Sequence, residues 1–111
     1  MAVKNEDEPF TRIDVDEAKA MIDASDVQVI DSREPDEHAE GHVPGSICIP
    51  HMATLVRAEE LARDRPILFI CKSGVRSAVA AEFAASLGLT ALYNIEGGHD
   101  DWREAGYDLE Y

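Results

Sequence analysis

The stretch Pro66-Ile67-Leu68-Phe69-Ile70-Cys71-Lys72-Ser73-Gly74-Val75-Arg76-Ser77 decides how the chain folds. Its first five residues form an unbroken apolar run, the pattern of a central parallel strand buried on both faces. The next residues are small, polar or basic and carry a glycine, so they read as a loop. From Ser77 to Leu87 the chain is rich in alanine. Val79, Phe83 and Leu87 recur every four residues, predicting a helix with Gly88 as its C-terminal stop. The stretch is therefore a strand, a loop and a helix, with Cys71 on the first residue after the strand. In open α/β sheets, ligands bind at this carboxyl end of the strands.

Working outward, the same alternation continues. Phe10 to Ile13 is a short strand, and Asp14 with Glu17 forms a capping box for a helix running to about Asp23 that buries Val15, Ala18 and Ile22. Val27 to Ile30 is a strand ending at Asp31. Glu34 to Glu40 is a short helix with Pro35 in its first turn, stopped by Gly41. Ser46 to Ile49 is a strand closed by Pro50, and Met52 to Asp64 is helical by composition, with Leu55, Ala58 and Ala62 on one face. Ala91 to Ile95 is the last strand. Gly97-Gly98 turns the chain into a short helix from His99 to Ala105, on which Trp102 packs against the core. The expected fold is a three-layer α/β/α domain: a mainly parallel five-stranded sheet with helices on both faces. Residues 1–9 read as a flexible acidic tail and residues 10–111 as the domain.

The bulk properties bound the function. A chain of 111 residues suits one domain, and its hydrophobic fraction of 45% is ordinary for a globular protein. No apolar run approaches the roughly 20 residues that cross a bilayer. The acidic N-terminus lacks the features of a secretory signal, so the expected compartment is the cytoplasm. Twenty-three acids against seven Arg and three Lys give a net charge of -13. Such a chain repels nucleic acid and anionic membranes, and neither is expected as a partner. The acidity fits either a well-solvated surface or adaptation to high salt.

Two cysteines, Cys48 and Cys71, are too few for a disulfide scaffold, and the dispersed histidines predict no metal site. Cys71 is the candidate nucleophile. An ordinary thiol is only about 3% ionised at neutral pH. A helix N-terminus behind the loop, a nest of amides opened by Gly74, and the cations Lys72 and Arg76 all favour the thiolate. Cys48 could resolve a disulfide with Cys71, but its place in an apolar strand argues for an inert thiol.

Three segments together resemble the rhodanese domain, the thiosulfate sulfurtransferase family. The first is Val29-Ile30-Asp31-Ser32-Arg33-Glu34 with Glu37-His38-Ala39-Glu40-Gly41-His42-Val43-Pro44-Gly45-Ser46 and Ile49-Pro50. The second is Cys71 to Ser77, and the third is Gly97-Gly98 with Trp102. The likeness spans about residues 10 to 108. It implies that Cys71 takes sulfur from a small anionic donor, holds it as a persulfide among the loop residues Lys72, Ser73, Gly74, Val75 and Arg76, and passes it to a thiol or protein acceptor without a cofactor. Lys72 is then the expected contact for a donor sulfonate, while Arg76 either contacts substrate or ties the loop to an acid. Asp31, Arg33 and His42 are expected in supporting roles: Asp31 bracing loop backbone, Arg33 pairing with an acid, His42 bonding within a turn. The alternatives are a persulfide carrier or regulatory binding module, and an arsenate reductase or phosphatase. Protein tyrosine phosphatases separate Cys from Arg by five residues; here four separate Cys71 from Arg76, a loop better matched to one sulfur atom.

If the acidic surface is a high-salt adaptation, the thermal midpoint should rise clearly between low and molar salt, as screening removes self-repulsion. A salt-independent midpoint would identify it as an ordinary solvated surface.

Overall fold

The structure is a computed structural model that describes residues 2–24 and 26–111. Met1, the first residue of the expected tail, and Ser25 lie outside the described residues. The buried run is strand β5, Ile67–Ile70, with all four side chains inaccessible. It pairs in parallel with β3, Gln28–Asp31, on one side and with β6, Leu92–Ile95, on the other. The sheet continues from β3 to β4, Ile47–Cys48, and from β6 to β2, Thr11–Ile13, both parallel. A sixth strand, β1, Val3–Lys4, pairs antiparallel with β2, giving the order β1-β2-β6-β5-β3-β4. Among the described residues, six strands replace the five expected. Val3–Lys4 belongs to the polar segment before Pro9, and its exposed side chains give no buried alternation by which to read it as a strand.

Alternation along β5 divides the core. Ile67 and Phe69 face one layer with Phe10, Ile30, Ile49 and Leu92, closed by α3, Val75–Ser86. Leu68 and Ile70 face the other with Ile13, Val29, Val43 and Ile95, closed by α1, Val15–Asp23, and by Trp102 of α4, Gly98–Glu104. These are the three layers expected. The capping box at the start of α1 is formed: the Glu17 amide donates to Asp14 (2.8 Å) and the Asp14 amide to Glu17 (3.0 Å). Helix α2, Pro35–Ala39, follows β3. Among the described residues, no helix is long and apolar enough to cross a membrane.

Two further expectations are corrected. Helix α3 begins at Val75 and turns Ser77, Ala80, Ala81 and Ala84 inward, an i, i+3, i+4, i+7 face; Val79, Phe83 and Leu87 are only half-buried. Small residues let the helix lie close on the sheet, and this outweighs the larger apolar stripe. The segment from Met52 to Asp64 is not a helix but two short 3₁₀ turns, His51–Ala53 and Ala58–Glu60. The Thr54 hydroxyl donates to the His51 carbonyl (2.7 Å), a local bond that competes with continued helix. Further on, the buried Gln28 carboxamide donates to the Glu60 carbonyl and accepts from the Ala62 amide, both at 2.8 Å. This holds Leu61 extended, with its side chain in the core.

Candidate active site

Cys71 follows β5 and is 1% exposed. The loop after it curls back so that the Gly74 amide donates to the sulfur at 3.1 Å, and the Ser77 hydroxyl lies 3.3 Å from it. Gly74 makes this turn as the residue before α3, at φ +106, a conformation L side chains rarely adopt. Burial pushes the Cys71 thiol up, but the Ser77 hydroxyl and the amides of Ser77, Gly74 and Ser73 outweigh it and hold the thiol below its ordinary range. Burial and hydrogen bonding to the charged form oppose each other here, and hydrogen bonding wins.

The outside of the loop is tied to α4. The amides of His99 and Asp100 donate to the carbonyls of Cys71 (2.8 Å) and Lys72 (3.0 Å). The carbonyls are thereby engaged on the side of α4, and loop amides are left to serve the sulfur. This approach requires Gly98, at φ +54: a Cβ there would lie 2.4 Å from the Cys71 carbonyl oxygen and 2.6 Å from Lys72 backbone. Trp102, 1% exposed, anchors α4 to the core.

The His99 ring lies beneath the loop. Its Nδ1 is 2.9 Å from the Cys71 carbonyl and its Nε2 3.2 Å from the Arg33 guanidinium. Arg33 can only donate, so Nε2 accepts and Nδ1–H donates. Burial lowers the His99 pKa to about 4, which keeps the ring neutral near pH 7.

The other candidates divide between loop and support. Lys72 is exposed and pairs with Asp100 (2.9 Å). Ser73 on the loop and Val75, the first residue of α3, are both exposed. Arg76 makes a forked pair with Glu37 of α2, at 2.7 and 2.9 Å. That guanidinium holds the Glu37 carboxyl down at about 2. Asp31, fully buried, accepts from the Arg33 amide (3.1 Å) and guanidinium (2.8 Å) and lies 2.8 Å from His38 Nδ1. Burial opposes its ionisation, yet the bonds from Arg33 and His38 keep its carboxyl below the usual range. Arg33 also donates to the Gly41 carbonyl (2.9 Å). His42 Nδ1 bonds the His38 carbonyl (2.8 Å), its backbone bridges to Glu110, and its ring stacks on His38. Cys48 is a free, half-buried thiol whose sulfur contacts the Arg33 carbonyl, and burial pushes it up.

Asn94 and His99 are site residues that the sequence reading does not single out, and Ser77, quoted there as the end of the Cys71 to Ser77 motif, is given no role at the sulfur. The one signal for Asn94 is a polar residue inside the apolar strand Leu92–Ile95, and for His99 its position directly after the paired glycines. Among the described residues, no group of three or more His, Cys, Asp or Glu side chains is arranged to hold a metal ion.

A buried thiol at a strand end, ringed by amides on a short loop, defines a protein with a cysteine-centred active-site loop on an α/β sheet. Residues 14–105 match the family model of the rhodanese-like domain, and the chain belongs to that family. A rhodanese-related protein from Thermoplasma volcanium has the same fold, with a TM-score of 0.81 and 36% identity over 89% of this chain and 96% of its own. The thiosulfate sulfurtransferase GlpE of Pseudoalteromonas translucida is 31% identical over 88% of this chain and 92% of its length. A protein of unknown function from Rhodopseudomonas palustris, described as a possible tyrosine phosphatase, aligns with a TM-score of 0.74 and 33% identity, covering 84% of this chain and 77% of that one.

Replacing Gly98 by alanine should destabilise the fold by about 2 kcal/mol or more, read from denaturant unfolding, because the added methyl meets backbone that cannot rotate away. His99 gives a pH signature. Its folded pKa of about 4 lies below its ordinary 6.5, so the unfolded chain binds more protons between those values. Stability should fall as pH drops from 6.5 through 4. His99→Asn, which keeps a donor for the Cys71 carbonyl, should flatten that part of the stability curve.

Proposed function

We propose that the chain is a sulfurtransferase that moves sulfane sulfur from thiosulfate or a persulfide donor to a thiophilic acceptor through a persulfide on Cys71. The observation that carries this reading is the convergence of the Gly74 amide and the Ser77 hydroxyl on a buried sulfur that favours the thiolate. In the first step the Cys71 thiolate attacks the outer sulfur of the donor. The donor S–S bond breaks, its electron pair leaves with the sulfite, and Cys71 becomes Cys–S–S⁻. In the second step an acceptor such as cyanide or a thiolate attacks the terminal sulfur, and the Cys71 thiolate departs. No general base is assigned in this scheme, because the Gly74 amide and the Ser77 hydroxyl themselves favour loss of the thiol proton. The same donors that favour the thiolate serve the anionic persulfide.

Each residue has a defined part in this scheme. Lys72, exposed at the mouth of the loop, meets the sulfonate of an incoming donor by exchanging its bond to Asp100. Ser73, Gly74 and Val75 shape the cradle. Arg76 works as a brace, since both ends of its guanidinium are engaged by Glu37. Asp31, Arg33 and His42 support the neighbouring turns. The relatives named as sulfurtransferases support this activity. The four-residue gap between Cys71 and Arg76 and the engagement of Arg76 by Glu37 favour it over phosphoryl chemistry. The acceptor is a small thiol or a protein thiol, and the reaction belongs in a reducing cytoplasm, where Cys48 and Cys71 persist as thiols.

Incubation with thiosulfate followed by intact-mass measurement should add one sulfur, about 32 Da, to the wild type and nothing to Cys71→Ala. Cyanide should then remove it and release thiocyanate. Failure to acquire the adduct from thiosulfate or from any low-molecular-weight persulfide would refute the proposal.

A further inference from the structure

Asn94 is fully buried in β6, beneath the loop. Its carboxamide is fixed on both sides. Nδ2 donates to the Gly74 carbonyl (3.1 Å) and to the Glu96 carboxylate, which occupies both amide protons. Oδ1 is thereby turned to Ser77, whose hydroxyl oxygen is 2.5 Å away. The same hydroxyl is 3.3 Å from Cys71 Sγ. A serine hydroxyl has one proton, so it serves Asn94 or the sulfur, not both. Glu96 is in turn held by Arg12 of β2, at 3.0 Å from each carboxylate oxygen, and Arg12 also binds Glu8. A continuous polar chain thus runs from the N-terminal segment to the reactive sulfur.

We infer that Asn94 is a positioning residue that sets the direction of the Ser77 proton and thereby controls how readily Cys71 ionises. With Cys71 as a thiol, S–H donates to Ser77 Oγ and the Ser77 O–H donates to Asn94 Oδ1. When the thiol ionises, its proton leaves to solvent, the Ser77 O–H turns to the sulfur, and Asn94 Oδ1 loses its donor. No proton passes through Ser77; only the orientation of its hydroxyl changes. A buried acceptor left without a donor is costly, so Asn94 restrains ionisation in proportion to its strength as an acceptor. The inference rests on the reading of Cys71 as the reactive thiol, but on no particular sulfur donor.

The test is the pH dependence of Cys71 alkylation by iodoacetamide, mapped by peptide mass so that Cys48 is counted separately. Asn94→Asp supplies a carboxylate that holds the Ser77 proton more strongly, and the alkylation midpoint should rise by about one pH unit, a tenfold loss of thiolate below the midpoint. In a Ser77→Ala background the same replacement should move the midpoint by less than half as much. The other charged groups around the site are the Arg76–Glu37 pair, the Lys72–Asp100 pair, the Asp31–Arg33–His38 cluster and the neutral His99. They are common to all four proteins and cancel in the comparison. A shift in the Ser77→Ala background at least half as large, or no rise with Ser77 present, overturns the inference.

Glu96→Gln tests the same linkage with a side chain that is 42% exposed, and decides the matter if Asn94→Asp shows no cooperative melt. Loosening the anchor on Nδ2 should lower the midpoint when Ser77 is present and move it less than half as far when Ser77 is absent; any other pattern overturns the inference. No sulfur donor enters these assays. A protein that alkylates as expected but never accepts sulfur would therefore refute the proposed function and leave this inference standing.

Discussion

The two hydrogen bonds from the first turn of α4 to the carbonyls of Cys71 and Lys72 are the constraint on which the site depends. A loop that exposes its amides to an anion must put its carbonyls somewhere else, and a buried carbonyl without a donor is costly. The amides of His99 and Asp100 accept that burden. They can do so only because Gly98 lets two backbone segments approach more closely than a Cβ permits. Trp102 fixes α4 from below, so the support for Cys71 is a packed helix rather than another loop.

Around this core the charged groups are arranged in closed pairs. Asp31 is fully buried and holds Arg33, which ties together the end of β3, the turn at Gly41 and the His99 ring. Arg76 and Glu37 join α3 to α2 across the mouth of the site. Burying the Asp31–Arg33 pair is costly in itself, and its bonds to backbone at both ends offset part of that cost. The result is a thiol whose anion is favoured by dipoles and hydrogen bonds rather than by a bare cation at contact distance.

Much of the fold was legible in local pattern. The apolar run Ile67 to Ile70, the Asp14–Glu17 capping box and the Gly97-Gly98 pair each encode their conformation within a few residues. Helix α3 was legible as a helix but not in its orientation, because close packing of Ala80, Ala81 and Ala84 against the sheet is a property of the neighbour as much as of the helix. The region from Met52 to Asp64 misled because helix-forming composition says nothing of Gln28, a strand residue 32 positions before Glu60, which holds that chain extended. Strand β1 carries no buried face and owes its existence to the open edge of β2.

The sequence alone determined the alternation of strand and helix outside β1 and the region from Met52 to Asp64, the position of Cys71 at the end of the most apolar strand, and the short turn that leads from it into α3, because each depends on neighbours within one or two turns of chain. The tertiary structure decided what surrounds that loop. His99, Asp100, Glu37 and Asn94 reach it from α4, α2 and β6, and no spacing rule links residues that meet only after the sheet has assembled. The pairing of Arg76 with Glu37, 39 positions away, is likewise a bond that exists only when α2 and α3 lie side by side.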